Sequence, residues 1–341
     1  MLLKQLPREL IMTIDISILI PVLNEEETVP AMLERFTELS QRHDQYNLEF
    51  VIVDDGSTDR TVEKIRSLAP NTLSIQLISL SRNFGSHAAI SAGFEGCLGK
   101  CAIILGADLQ EPPELVDQFI ERFEQGDEVV WGIRNNRTVG GLGGLVSRAF
   151  SFLFHRYSDI KSYPAEGPSG FLVTRNVIDV VVTMPERHRN VLGLIAWAGF
   201  RQSRVNYNQE ARFAGESKWT RKRLLKLAVD SFVQFSSAPI RAMSYIGAMT
   251  AVLGFIYAFI IAIRALFSDW GPTGWATVTV LILVLGGIQL LMLGVLGEYI
   301  WRGVDETRSR PLFVIRSRET LTSTDAPQHS DTTNDSISSN S

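Results

Sequence analysis

Apolar residues along the first hundred positions alternate between two spacings. Residues 16–21 (ISILIP) form a continuous apolar run of strand length and composition. Residues 26–41 then carry Val29, Met32, Leu33, Phe36 and Leu39 at helical spacing, with Pro30 tolerable in the first turn. Residues 48–53 (LEFVIV) read as a second strand. Ser57 or Thr58 is expected to cap a helix running to Leu68, with Asp59 favourably placed in its first turn. A third strand is expected over 74–80, a third helix over 86–98 and a fourth strand over 101–105 (CAIIL). Continuous apolar strands between helices predict an α/β domain with a mainly parallel sheet covered on both faces.

The polar residues of this half gather just beyond the strands. Asn24 and Glu25 follow the first, Asp54 and Asp55 the second, Arg82 and Asn83 the third, and Asp108 and Gln110 the fourth. Open α/β sheets bind ligands outside the carboxyl ends of their strands, so these residues point to one polar site. Turn chemistry alone could account for Asp55-Gly-Ser57, but it does not require Arg82 or Gln110. For Asp108 the plainer alternative is a helix-capping carboxylate ahead of Glu111-Pro-Pro113.

The pattern changes after residue 215. Residues 222–235 place Leu224, Leu225, Ala228, Phe232 and Phe235 near one helical face behind a basic start, as expected of an interfacial helix or of one packed on the domain. Residues 242–263 and 271–297 are uncharged stretches of 22 and 27 residues, each long enough to span a bilayer. Arg264, Asp269, Trp270 and Trp275 mark the connection between them. Lys218, Arg221, Lys222, Arg223, Lys226 and Arg241 precede the pair, and Arg302, Arg308, Arg310, Arg316 and Arg318 follow it. The positive-inside rule then puts both ends in the cytoplasm, joined by an outer hairpin. The expected organisation is a cytoplasmic domain over 1–215, an interfacial helix over 216–239 and two membrane helices over 240–300. A juxtamembrane segment over 301–319 and a polar tail over 320–341 complete it.

Composition narrows the chemistry. The chain of 341 residues has a formal net charge of −4, which argues against a nucleic-acid partner. Cys97 and Cys101 have no second Cys/His pair to complete a metal site and read as two buried thiols. The first fifteen residues hold no apolar stretch of signal-peptide length. A G-x-x-x-x-G-K-[ST] loop, a G-x-S-x-G elbow and an H-E-x-x-H pair are all missing. The glycines at 140, 141, 143 and 144 fail the G-x-G-x-x-G spacing, and the five histidines are scattered.

Several strings together resemble family 2 glycosyltransferases: ILIPVLNEE over 18–26, VDDGSTD over 53–59, SRNFG over 81–85 and ADLQEPP over 107–113. WGIR over 131–134, RFAGESK over 212–218 and GEYI over 297–300 are further matches. The nearest branch is that of polyprenyl-phosphate hexose transferases, such as bactoprenol glucosyltransferases and dolichyl-phosphate mannose synthases. The resemblance spans 14–316 and implies a GT-A nucleotide-sugar domain followed by two membrane helices. It implies Mg²⁺ or Mn²⁺ held by Asp108 and Gln110, and a donor nucleoside held by Pro21, Asn24, Glu25, Asp54, Asp55, Arg82 and Ala107. Arg134, Arg212, Ser217 and Lys218 are placed with the catalytic groups; Arg134, Arg137, Ser147, Arg148 and Arg212 would bind an acceptor phosphate.

The expected reaction is inverting transfer of a hexose, glucose first, from a UDP-sugar to undecaprenyl phosphate by a homo-oligomer on the cytoplasmic face of the inner membrane. Other UDP-sugars or GDP-mannose are alternative donors. One departure stands out: Gly106 occupies the place of the first aspartate of the family's Asp-x-Asp. Its contact then falls to a neighbour or to water, or activity is weakened or lost; a non-catalytic nucleotide-binding partner is the reading from another class. Relatives also carry a basic residue where this chain has the glycines of 140–144, just before Ser147.

Overall fold

The computed structural model describes residues 14–135, 164, 168–186, 189–210, 238–267 and 274–321. Four strands come first: β1 (Ile16–Val22), β2 (Leu48–Asp54), β3 (Ile75–Leu80) and β4 (Cys101–Ile104). Between and after them lie α1 (Val29–Arg42), α2 (Thr61–Leu68), α3 (Ser86–Gly96) and α4 (Pro113–Glu124). The chain continues through β5 (Val129–Arg134), β6 (Phe171–Thr174), α5 (Arg175–Thr183), α6 (Val191–Trp197) and β7 (Gln202–Tyr207). Two long helices, α7 (Ala238–Phe267) and α8 (Trp275–Thr307), precede a final strand, β8 (Ile315–Leu321). The sheet runs β7-β5-β6-β4-β1-β2-β3-β8. The pairs among β1 to β4 are parallel, as is β5 with β7, whereas β6 and β8 run antiparallel to their neighbours.

Both faces of the sheet are apolar, which is why its strands read as unbroken hydrophobic runs. In β1, Ile16, Ile18 and Ile20 enter one core and Leu19 the other. The first core is closed by α1 and α4, with Phe36 stacked on Phe50 at 4.3 Å between ring centroids. The second is closed by α3, α5 and α6. Each fully buried side chain of this kind contributes about 1.5–3 kcal/mol of transfer free energy.

Two features of the ends differ from expectation. Neither Ser57 nor Thr58 caps α2: the helix starts at Thr61, and the Ser57 hydroxyl accepts the Asn24 N–H at 2.8 Å across the β1–α1 loop. Residues assigned to a juxtamembrane segment supply β8, and Thr320 and Leu321, assigned to the polar tail, end it. The chain leaving α8 is therefore tied to the sheet edge. Ser81 N–H donates to Val314 O at 2.8 Å, and Arg66 grips both oxygens of Glu319 at 2.8 and 2.7 Å.

At the amino ends of the strands lies a buried polar knot. The Glu49 side chain, 4% exposed, accepts from the Ser17 hydroxyl and the Leu98 N–H. Arg175 closes the same corner by donating to Cys97 O at 2.8 Å and Gly99 O at 2.6 Å. Cys97 and Cys101 are buried and unpaired here, and burial pushes both thiols up, Cys101 to about 12.

At the carboxyl ends the loops pin one another. Asp55 accepts Phe84 N–H at 2.7 Å with Oδ1 and Gly85 N–H at 2.9 Å with Oδ2. Asp54 Oδ1 accepts Ser57 N–H at 2.9 Å, and Asn24 Oδ1 accepts Thr58 N–H at 2.8 Å. Gly56, at φ +75°, brings the second loop against the third so closely that a Cβ would lie 2.5 Å from the Arg82 carbonyl carbon.

Two outcomes follow from these contacts. Gly56→Ala adds a positive-φ cost of about 1–2 kcal/mol to an overpacking cost of about 1–3 kcal/mol, so thermal unfolding should show a clearly lowered midpoint. An unchanged midpoint would mean that the loops do not meet as described. Burial holds the Glu49 carboxyl above its ordinary range. The folded protein thus retains that proton longer than the unfolded chain does, and stability should fall as pH rises through and above the ordinary Glu value of about 4.3. Glu49→Gln removes this contribution, so its thermal midpoint should rise relative to wild type across that window; parallel pH profiles would contradict it.

Candidate active site

β4 pairs with β1 only as far as Leu19 and Ile104, so the sheet opens at its carboxyl edge beyond these residues. Pro21, which lacks a donor N–H, falls in β1 past the end of that pairing, opposite Val53 of β2. The chain leaving β4 then turns through Gly106, Ala107, Asp108, Leu109 and Gln110 before α4 begins at Pro113. Asp108 does not cap that helix: Pro112 is at the cap position and no side chain caps it. Leu109 sits at φ 57°, a left-handed conformation that a branched side chain adopts only at a cost of about 1–2 kcal/mol.

Five elements converge on this turn. The Glu111 side chain folds back and its Oε2 accepts the Gly106 N–H at 3.2 Å. Gln110 O accepts the Glu210 N–H at 3.0 Å, just past β7, and Arg35 of α1 donates to Glu111 O at 3.3 Å. From the end of β5, Arg134 donates to Gln209 Oε1 at 3.4 Å; its buried Nε has no hydrogen-bond partner among the described residues. The hydroxyls of Ser169, ahead of β6, and Tyr207, at the end of β7, bond to each other.

Charge in this corner is unevenly spread. Burial pushes the Glu111 carboxyl up and the negative charge of Asp108 pushes it further, against the opposing effects of the Gly106 N–H and Arg134. Tyr207 is raised by burial and then by Glu111. The carboxylates of Asp108 and Glu111 therefore come together at this turn, and Gln110 stands between them in sequence. Hard divalent cations such as Mg²⁺ and Mn²⁺ suit an all-oxygen set, commonly one or two carboxylates completed by substrate phosphates and water. Among the described residues no group of three His, Cys, Asp or Glu could hold an ion by itself.

The residues expected to hold a nucleoside divide by role. Asn24 and Arg82 are exposed at the mouth, Arg82 with its guanidinium 4.0 Å from the Phe84 ring centroid. Glu25 is half-buried; its backbone N–H donates to the Thr61 hydroxyl at 2.8 Å, and its carboxylate accepts the Thr28 hydroxyl at 2.9 Å. Asp54, Asp55 and Ala107 are buried, and both oxygens of Asp55 are committed to the third loop. Arg137, Ser147, Arg148, Arg212, Ser217 and Lys218 lie outside the described residues. Glu111 and Glu210 were not among the expected site residues. The only hint in the sequence was that Glu111 follows Gln110 directly while position 106 has no side chain.

Residues 17–180 match the model of glycosyl transferase family 2, and residues 238–302 match that of the GtrB C-terminal hairpin. The glycosyltransferase YkcC of Bacillus subtilis (strain 168) is 37% identical over 304 residues, covering 89% of this chain and 94% of that protein. A bactoprenol glucosyl transferase of Shigella phage SfX is 33% identical over 306 residues, covering 89% and 99%. Glucosyl-3-phosphoglycerate synthase from Mycobacterium tuberculosis, solved in complex with Mn²⁺, UDP-glucose and phosphoglyceric acid, aligns at a TM-score of 0.42 and 20% identity over 64% of this chain and 77% of that one. With its GT-A-like mixed α/β sheet and its match to such relatives over most of its length, the chain belongs to glycosyl transferase family 2.

Proposed function

We propose that this glycosyltransferase moves a hexose, glucose first, from a UDP-sugar to undecaprenyl phosphate with inversion at the anomeric carbon. The observation that carries the reading is the turn after β4, where Asp108 and Gln110 stand at the open edge of the sheet beside Arg134 and Glu210. The bactoprenol glucosyl transferases, 33% identical over nearly their whole length, support the acceptor and the sugar.

Asp108 and Gln110 would hold Mg²⁺ or Mn²⁺, which when bound offsets the charge that develops on the diphosphate leaving group. Pro21, Asn24, Glu25, Asp54, Arg82 and Ala107 line the donor side, and Asp55 acts by fixing the third loop. A phosphate monoester acceptor, with a second pKa of about 6, is already largely ionised at neutral pH and requires placement more than a strong base. Arg134 is suited to that placement, as arginine binds phosphate oxygens in pairs. Arg137, Ser147, Arg148, Arg212, Ser217 and Lys218 are assigned the same phosphate-binding and charge-compensating work. Attack from the face opposite the diphosphate gives the inverted, β-linked product from an α-linked donor.

The C-terminal helices support setting this chemistry at a bilayer. In α8, the stretch Val284–Thr307 is long and apolar enough to cross a membrane; Met243–Tyr257 of α7 is a shorter apolar stretch. Large side chains such as Phe255, Phe259 and Leu290 are 66–78% exposed, as expected of surfaces that face lipid. Gly247 of α7 lets Met292 of α8 approach, its missing Cβ 2.9 Å from Met292 Cε. On this reading the two helices form a membrane hairpin, the catalytic domain lies on the cytoplasmic face of the inner membrane, and the protein works as a homo-oligomer.

Membranes containing the protein should transfer label from one nucleotide sugar to undecaprenyl phosphate in the presence of Mn²⁺ or Mg²⁺. Chelation should abolish the transfer, and Asp108→Ala should lower it by about 100-fold or more, the scale of losing one main stabiliser of transition-state charge. Absence of transfer from UDP- and GDP-sugars alike, with a relative active in parallel, would sink the proposal.

A further inference from the structure

Positions 106 and 111 share one piece of space. A Cβ at Gly106 would lie 2.8 Å from Asp108 Oδ1 and 3.1 Å from Glu111 Oε2, so two carboxylates fill the volume that a side chain would need. Glu111 is held there from several sides. Its Oε2 accepts the Gly106 N–H at 3.2 Å, and its Cγ lies 3.6 Å from where Gly170 would carry a Cβ. Its side chain thus packs between Gly106 after β4, where a Cβ would crowd it, and Gly170 before β6, where a Cβ would make an ordinary contact. The residue is 9% exposed, and among the described residues the charged or titratable groups facing it are Asp108 from its own turn, Arg134 from β5 and Tyr207 from β7. Only one of these is a cation. A buried carboxylate beside a second one is costly unless a positive charge compensates both.

We propose that Glu111 is the second carboxylate of the cation site. From three residues beyond Asp108 it supplies the negative charge that the chain lacks at Gly106, and through the Gly106 N–H it positions the turn that presents Asp108. This rests on the reading of the chain as a metal-dependent nucleotide-sugar transferase and adds a residue to it. Two consequences are specific to the arrangement. The charge of Glu111, not merely its bulk, sets the affinity for the ion. A side chain at 106 would crowd Asp108 first, its Cβ 2.8 Å from Oδ1, and Glu111 next at 3.1 Å, and removing the charge at 111 lessens the repulsion that a third carboxylate would meet.

The test uses the full-length protein in detergent micelles, with Mn²⁺ binding followed by electron paramagnetic resonance in the presence of UDP, and thermal midpoints recorded without metal. Glu111→Gln keeps the size and the acceptor for Gly106 N–H but removes the charge. It should weaken Mn²⁺ binding by about tenfold or more, from the loss of one nearby unit charge, while leaving the metal-free midpoint unchanged or raised. Gly106→Asp alone should lower the midpoint and bind Mn²⁺ no better than wild type. The double variant Gly106→Asp/Glu111→Gln should recover affinity to within about threefold of wild type. Wild-type affinity in Glu111→Gln would overturn the proposal. So would a lowered midpoint with unchanged affinity, or a double variant that binds no better than Glu111→Gln. Mn²⁺ and UDP binding without sugar transfer from any donor would sink the transferase reading and leave this one standing; a wild-type protein that binds neither would overturn both.

Discussion

Asp55 is 4% exposed, yet both of its carboxylate oxygens are occupied by backbone N–H groups of the neighbouring loop, Phe84 at 2.7 Å and Gly85 at 2.9 Å. Burying an anion in this way is tolerable because charge-assisted bonds to N–H groups replace the water it loses. The edge of the sheet depends on it. The second and third loops become one body, Gly56 can press against Arg82, and Arg82 is left exposed at the mouth beside Phe84. The same economy recurs between the first and second loops, where Asn24 N–H donates to the Ser57 hydroxyl and Asn24 Oδ1 accepts the Thr58 N–H. Loops that would otherwise be independent therefore form one joined rim, which suits the placement of a diphosphate that the proposed reaction needs.

The acidic groups are partitioned between the two ends of the strands with different consequences. At the amino ends Glu49 is surrounded by donors from Ser17 and Leu98, with Arg175 gripping the adjoining carbonyls, so the knot is self-contained. At the carboxyl ends Asp108 and Glu111 are brought together with Arg134 as the cation that faces them among the described residues. The first arrangement stabilises a corner; in the second, among the described residues, Asp108 and Glu111 share Arg134 at an open edge. That imbalance is costly to the free protein and is relieved by a cation, which is the physical reason for reading this edge as the reactive one.

The other end of the molecule is coupled to this edge through β8. Because the chain leaving α8 pairs with β3 and is locked by Arg66 and Glu319, the apolar helices are tied through β8 to the strand that leads into Ser81 and Arg82. The edge strand also covers β3, whose open N–H and C=O groups would otherwise be free to pair with another chain.

The sequence by itself determined the sheet and the place of its polar groups. Strands buried on both faces must be continuously apolar, so ISILIP, LEFVIV and CAIIL could be read as parallel strands, and their polar successors could only lie at the carboxyl ends. Asp108 and Gln110 were legible for that reason, and the long uncharged stretches were legible as helices by length and composition alone. Tertiary structure decided the rest. The start of α2 moved to Thr61 because Ser57 is engaged by Asn24, a partner 33 positions away. β8 was hidden because IRSRETL has the mixed polarity of an edge and gains its partner only when Glu319 reaches Arg66, 253 positions earlier. The pairing of Glu111 with Gly106 likewise escaped local spacing, since Glu111 turns inward to accept the Gly106 N–H in space that a side chain at 106 would crowd. Periodicity records which faces of an element are buried; it does not record which distant backbone will come close enough to need a missing side chain.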